Sequence, residues 1–146
     1  YPHERKTGSV GFCSAFGDRK NPEMVYNLAK QMPERQFYMI GRYWDQYEKY
    51  DELMSFSNFT YHENEEYEKY PDLYNQIDIF VSPSTLEGGP VPVLEAMLSN
   101  CFPITSKTGF CPDVINHGDS KNVDVRATAM EYSWENCSKR IDQLFL

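Results

Sequence analysis

Positive charge is scarce in this sequence. Lysine and arginine number 14 against 22 acidic residues, for a net charge of −8, and no basic cluster is longer than ERK (4–6) or DRK (18–20). Extended contact with a nucleic-acid backbone and a polybasic membrane patch both need a run or face of cations, so no nucleic-acid partner is expected. One or two phosphates held locally remain compatible. Long apolar runs are missing too: none exceeds a few residues, which excludes a bilayer-spanning helix. The opening residues, YPHERKTGSV, carry no hydrophobic leader. Metal-ligand patterns are equally sparse. Cys13, Cys101, Cys111 and Cys137 form no CxxC pair, and His3, His62 and His117 show no ligand spacing with them, so a zinc site has little support. The even cysteine count permits two disulfides, but with the α/β pattern described next the expectation is buried free thiols in a reducing cytosol. No Asp-x-Asp pair, internal repeat or low-complexity linker occurs.

What is present is ordinary globular material, 40% hydrophobic with 15% aromatic residues, which argues against disorder. The length of 146 residues suits one domain spanning 1–146. The pattern alternates. SVGFCSAF (9–16) reads as a buried strand, and Asn21 with Pro22 supplies N-cap and first-turn chemistry for a helix whose face is Val25, Leu28, Ala29 and Met32. QFYMIG (36–41) is a second strand, Tyr47, Tyr50, Leu53 and Met54 give one helical face, and NFTYH (58–62) is a weaker third strand. A short helix over 71–76 leads into IDIFVSP (77–83), the clearest strand of all. A helix over about 91–99, the strand FPITS (102–106), a turn into a short helix, and a last helix capped by Ser133 complete the order. Strands alternating with helices predict a parallel sheet covered on both faces, an α/β Rossmann-like three-layer domain. Ligands are expected at the carboxyl ends of its strands. Between 115 and 130 no convincing strand occurs, so either the sheet is short there or residues are missing from the chain near 119–126. The charge run ENEEYEKY (63–70) reads as a solvated loop or helix face.

Candidate chemistry sits at those strand ends. After the clearest strand come Glu87, Gly88, Gly89 and Pro90, opening a helix whose first turn should present several free N–H groups and a partial positive charge. A phosphate or sugar hydroxyl suits that turn. Taken alone, it reads more readily as a plain tight connection. Glu95 adds weight, because a carboxylate among Val93, Leu94, Ala96, Met97 and Leu98 is costly unless paired or exposed. It lies roughly 8 Å along the helix from its start, so the two acids can face one cleft. A carboxylate accepts two hydroxyls in a fork, which suits a ribose diol; a solvent-facing Glu95 is the plain alternative. At the first strand end Gly17 serves a turn, and Arg19 and Lys20 are either phosphate ligands or solvated cations. At the second, Arg42 follows Gly41, with Tyr43 and Trp44 free to stack or merely to pack. His62 either faces the same cleft or is structural.

The stretch DIFVSPSTLEGGPVPVLEAMLSNCFPITSKTGFCPDVI resembles the C-terminal, donor-binding domain of GT-B-fold glycosyltransferases, in particular family 4, with its Glu-seven residues-Glu signature at Glu87 and Glu95. The likeness extends to IGRYWDQYEKYDEL and to the closing EYSWENCSKRIDQLF, covering most of 9–118 and 131–146. The resemblance implies binding of a nucleotide-diphosphate sugar. Glu95 would hold the ribose, Glu87 a sugar hydroxyl, and Gly88, Gly89 and the helix start the sugar and diphosphate. Lys20 matches the family's phosphate-binding lysine, whereas the arginine expected five residues earlier is Ala15, and Arg19 or Arg42 would have to replace it. The resemblance further implies a retaining transfer without metal or other cofactor, and an N-terminal acceptor-binding domain as partner. It places the enzyme in the cytoplasm, with any peripheral membrane attachment made through that other domain. A non-catalytic sugar-nucleotide-binding or interaction module, and a GT-B-fold sugar-nucleotide epimerase, are the rival readings.

Overall fold

The computed structural model describes residues 7–114 together with 129, 130 and 136. The expected closing helix from Ser133 and the question of residues missing near 119–126 lie outside the described residues. Five strands form one sheet: β1 (Val10–Ala15), β2 (Phe37–Arg42), β3 (Phe59–Glu63), β4 (Ile79–Ser82) and β5 (Phe102–Thr105). Every pairing is parallel, in the order β3-β2-β1-β4-β5. The expected Rossmann-like α/β architecture is therefore observed. The chain runs outward from β1 through β2 to β3, then returns to place β4 on the other side of β1. The reversal leaves a topological switch point between β1 and β4.

Period-two alternation makes the three layers. Along β2, Phe37 and Met39 enter one core with Val10, Phe12, Val25, Ala29, Trp44 and Leu53, while Ile40 enters another with Leu73, Tyr74, Phe80, Val93, Ala96 and Met97. The first core is roofed by helices α1 (Pro22–Gln31) and α2 (Tyr50–Ser55). The second is covered by α3 (Tyr70–Tyr74) and α4 (Val91–Leu98), with the short α5 (Cys111–Val114) following β5. Among the described residues no helix is long and apolar enough to cross a membrane. Cys13, Cys101 and Cys111 are not joined to one another by a disulfide, and the last two are buried; the expectation for Cys137 lies outside the described residues.

Local details differ from expectation. Asn21 does stand before α1, but its backbone is left-handed (φ 56°) and its side chain makes no cap bond. Its amide instead donates to the Pro83 carbonyl at 3.4 Å, tying the β1 loop to the β4 loop. The helix start thus rests on Pro22, whose fixed φ suits a first turn. At the amino end of the sheet, the 4%-exposed Asp78 accepts from the Thr7 and Gly8 amides and the Thr7 hydroxyl at 2.5–2.8 Å. That carboxylate pins the strand entry. The acids at the opposite end sit quite differently.

Candidate functional site

The two loops at the switch point are braced against each other. Beyond β1, Gly17 leads into a single 3-10 turn (Asp18–Lys20) before α1. Beyond β4, residues 83–90 run to α4. The Thr85 amide donates to the Arg19 carbonyl at 2.8 Å, and on the far side the Ser106 hydroxyl donates to the Ser84 carbonyl. Glu87 is thereby held over the β1 loop. Its carboxylate, 8% exposed, pairs with the Lys20 ammonium and, at 3.1 Å, with Arg19.

The electrostatics of Glu87 set opposing effects against each other. Burial acts to raise its pKa, but the bond from Lys20, the Ser84 hydroxyl, the Lys20 charge and Arg19 outweigh it and hold the carboxyl below its ordinary 4.5. A lowered folded-state pKa means stability that is present above about 4.5 and is lost as pH falls through the folded value. Thermal unfolding of the wild type and Glu87→Gln should therefore show a gap near pH 7 that narrows below about pH 4.5. A gap constant across that range would show that the charge of Glu87 contributes nothing.

Two cavities open at the carboxyl ends of the strands. The smaller, about 170 Å³, is walled by Lys20, Ser84, Glu87, Gly89 and Pro90 over a floor that includes Phe12 and Val81. The larger, about 440 Å³, is walled by Ala15, Arg42, Asn64, Tyr67, Tyr70 and Glu95. They share Cys13, Ser14, Val91 and Pro92 as a common partition. Glu87 and Glu95 thus face adjoining compartments of one cleft. Desolvation pushes the Cys13 thiol in that partition up to about 11, so it is protonated at neutral pH.

Glu95 is neither bare nor simply solvated. The Tyr67 hydroxyl donates to its Oε1 at 2.5 Å and the Tyr74 hydroxyl to its Oε2 at 3.0 Å. The pair of phenols answers the cost of placing an acid on an apolar helix. These tyrosines are the residues that sequence reasoning missed. Their spacing in YEKYPDLY, at 67, 70 and 74, is the i, i+3, i+7 stripe of a helix face, and that was the available signal.

Several expected residues land differently. The start of α4 is poor in free donors: Pro90 and Pro92 have no N–H, the Val91 amide donates to Gly89 O at 2.8 Å and the Val93 amide to Pro90 O at 2.9 Å. In the loop before it, the Gly88 and Gly89 amides have no acceptor among the described residues, and neither do those of Leu86 and Glu87. The free backbone donors are therefore in the loop and not in the first turn of the helix. Gly17 has extended backbone (φ 166°) and open space where a Cβ would stand, so neither turn geometry nor crowding calls for glycine there. Trp44 is 1% exposed and donates from Nε1 to Ser14 O at 3.0 Å, so it packs and cannot stack on a ligand. Tyr43 is exposed, with the Arg42 guanidinium 5.4 Å from its ring centre. His62 stacks on Tyr38 and lines neither cavity. Arg19 engages Glu87 and the Leu86 carbonyl at the rim.

Comparison with known proteins adds the family. The model described as Glycosyl transferases group 1 matches residues 2–146. Sucrose-phosphate synthase from Thermosynechococcus elongatus superposes with a TM-score of 0.77 at 17% identity, over 94% of this chain and 45% of that one. The C-terminal domain of a glycosyl transferase group 1 family protein (LpcC) from Francisella tularensis gives 0.68 at 21% identity, over 99% of this chain and 84% of that one. The catalytic domain of starch synthase IV from Arabidopsis thaliana, bound to ADP and acarbose, gives 0.64 at 16%, over 92% and 31%. The chain thus spans less than half the length of the synthases it resembles. No curated protein matches it.

Proposed function

The chain belongs to the glycosyl transferases group 1 family, and from that premise we propose that it is the donor-binding part of a glycosyltransferase that draws on a nucleotide-diphosphate sugar. The observation that carries this reading is the pairing of Lys20 with Glu87 across the switch point, beside the unpartnered Gly88 and Gly89 amides. A cation and the Gly89 amide on the wall of one small cavity, with the Gly88 amide next to them in the loop, suit a diphosphate. Glu87 already accepts from Lys20 on Oε1, from Arg19 on Oε2 and from the Ser84 hydroxyl, which leaves room for one hydroxyl of the sugar. Glu95 receives the ribose in the larger compartment, whose volume falls within the roughly 300–1,000 Å³ usual for ligand sites.

In this reading the chemical step is eased by stabilising negative charge on the departing diphosphate with Lys20 and the loop amides, and no metal is called on. Arg42, on the wall of the larger compartment and not of the one that Lys20 lines, supplies the second cation from the ribose side. Ala15 and Arg42 are register partners across β1 and β2, so the guanidinium arises one strand over from where the resemblance expects it. Among the described residues Arg42 has no carboxylate partner, whereas Arg19 is tied to Glu87. Acceptor binding is assigned to a second domain, and retention of configuration rests on family analogy alone.

Calorimetric titration with UDP, GDP and ADP tests the reading. At least one should bind, and Arg42→Ala should weaken it by about three- to tenfold, the worth of one partly exposed charged contact. Absence of binding by all three would overturn the proposal.

A further inference from the structure

The two phenols on Glu95 are unlike. Tyr74 is 1% exposed, lies within α3 and packs on Tyr70 and Phe80, with ring centres 6.2 and 5.9 Å away. It does not line the larger cavity. It is a fixed brace beneath the carboxylate. Tyr67 is 65% exposed and stands on the 3-10 turn (Tyr67–Lys69) that leads into α3; among the described residues its one aromatic neighbour is the Tyr70 ring, 5.2 Å away. Tyr67 does line the cavity, on the same wall as Glu95. One bond is therefore made from within the protein, and the other from the side a ligand enters.

We infer that Tyr67 is a placeholder whose phenolic O–H sits on Glu95 where a ligand hydroxyl has to sit, so that binding exchanges one O–H donor for another. The inference rests on the reading of Glu95 as the ribose carboxylate. Chemistry supports the exchange: the group displaced is a neutral hydroxyl donor, and a sugar hydroxyl is the like-for-like replacement. The carboxylate keeps its Tyr74 bond throughout, so its orientation survives when Tyr67 leaves. The ring has room to move because two thirds of its surface is already in solvent. The cost falls on affinity: every ligand that uses Glu95 must first break the Tyr67 contact. Removing only the phenolic oxygen should then tighten binding, the opposite sign from removing a ligand contact.

The test compares wild type with Tyr67→Phe, titrated with whichever of UDP, GDP or ADP the wild type binds most tightly, and with the 2′,3′-dideoxy form of the same nucleotide. The expected result is about three- to tenfold tighter binding of the ribonucleotide by the variant, the net worth of one hydrogen bond, and unchanged binding of the dideoxy form. Weaker or unchanged ribonucleotide binding would overturn the inference while leaving the donor-site reading intact. An equal gain with the dideoxy form would do the same, because the effect would then not arise at the diol. If no nucleoside diphosphate binds the wild type, both fall together. Ribonucleotide binding that is indifferent to Glu95→Ala would remove the Glu95 assignment on which the placeholder depends.

Discussion

Replacing Glu95 by alanine should weaken nucleoside diphosphate binding by about ten- to a hundredfold. The reasoning is direct: hydrogen bonds to a charged acceptor contribute about 1.5–3 kcal/mol, and each 1.4 kcal/mol is a factor of ten. Glu95 carries a second burden, however. Its loss leaves the buried Tyr74 hydroxyl without its 3.0 Å acceptor, at a cost of about 1–3 kcal/mol of stability. Glu95→Gln separates the two effects, since an amide oxygen still accepts from Tyr74 while the negative charge and one acceptor are gone. Isothermal calorimetry reads the first effect and thermal unfolding the second. Glu63→Ala, at the exposed end of β3, should alter neither binding nor site geometry. Equal affinity of Glu95→Ala and wild type would remove the carboxylate from the ligand site.

Gly41→Ala is the substitution expected to harm the fold most. A Cβ built there stands 2.0 Å from the Ser14 carbonyl oxygen and 2.9 Å from its carbon. Those are backbone atoms of the adjacent strand, and Ser14 is the register partner of Gly41. No rotamer change relieves the clash, so β1 and β2 must part where they form the cleft floor. Overpacking of flexible side chains costs about 1–3 kcal/mol, and a backbone clash should reach the top of that range or exceed it. At about 2–4 °C per kcal/mol for a domain near this size, the melting temperature should fall by roughly ten degrees. Gly17→Ala is the matched control, with extended backbone and open space, and should stay within about 0.5 kcal/mol of wild type. A Gly41→Ala protein that melts with the wild type would contradict the strand spacing at this point.

These cases illustrate what the sequence could and could not convey. The sheet was legible because buried parallel strands read as unbroken apolar runs, as in IDIFVSP, and because Phe37, Met39 and Ile40 must divide between two cores. Lys20, Glu87 and Glu95 were legible because polar groups at strand ends and on apolar helices stand out against their surroundings. Tyr67 and Tyr74 were not. They lie in or beside the charge run 63–70, where hydropathy reports only solvation, and their role depends on a pairing 28 and 21 residues away in the chain. Trp44 was open between packing and stacking, since an indole beside an arginine supports both. Three-dimensional closeness to Ser14 decides for packing. The donor-poor start of α4 was written in Pro90 and Pro92, yet its meaning appeared only once Val91 and Val93 were seen to turn inward onto Gly89 and Pro90.

The partition made by Cys13, Ser14, Val91 and Pro92 divides the cleft into chambers of about 170 and 440 Å³, which the proposed function assigns to the diphosphate and the nucleoside. A molecule spanning both behaves as two weak ligands on one tether. Free nucleoside and free pyrophosphate would each occupy one chamber and each bear the full entropy of capture. The joined molecule bears that entropy once, and its second half docks at an effective concentration set by the linkage, which reaches the millimolar range or higher for short tethers. The selectivity of the cleft would then reside less in any single contact than in the distance across four small residues.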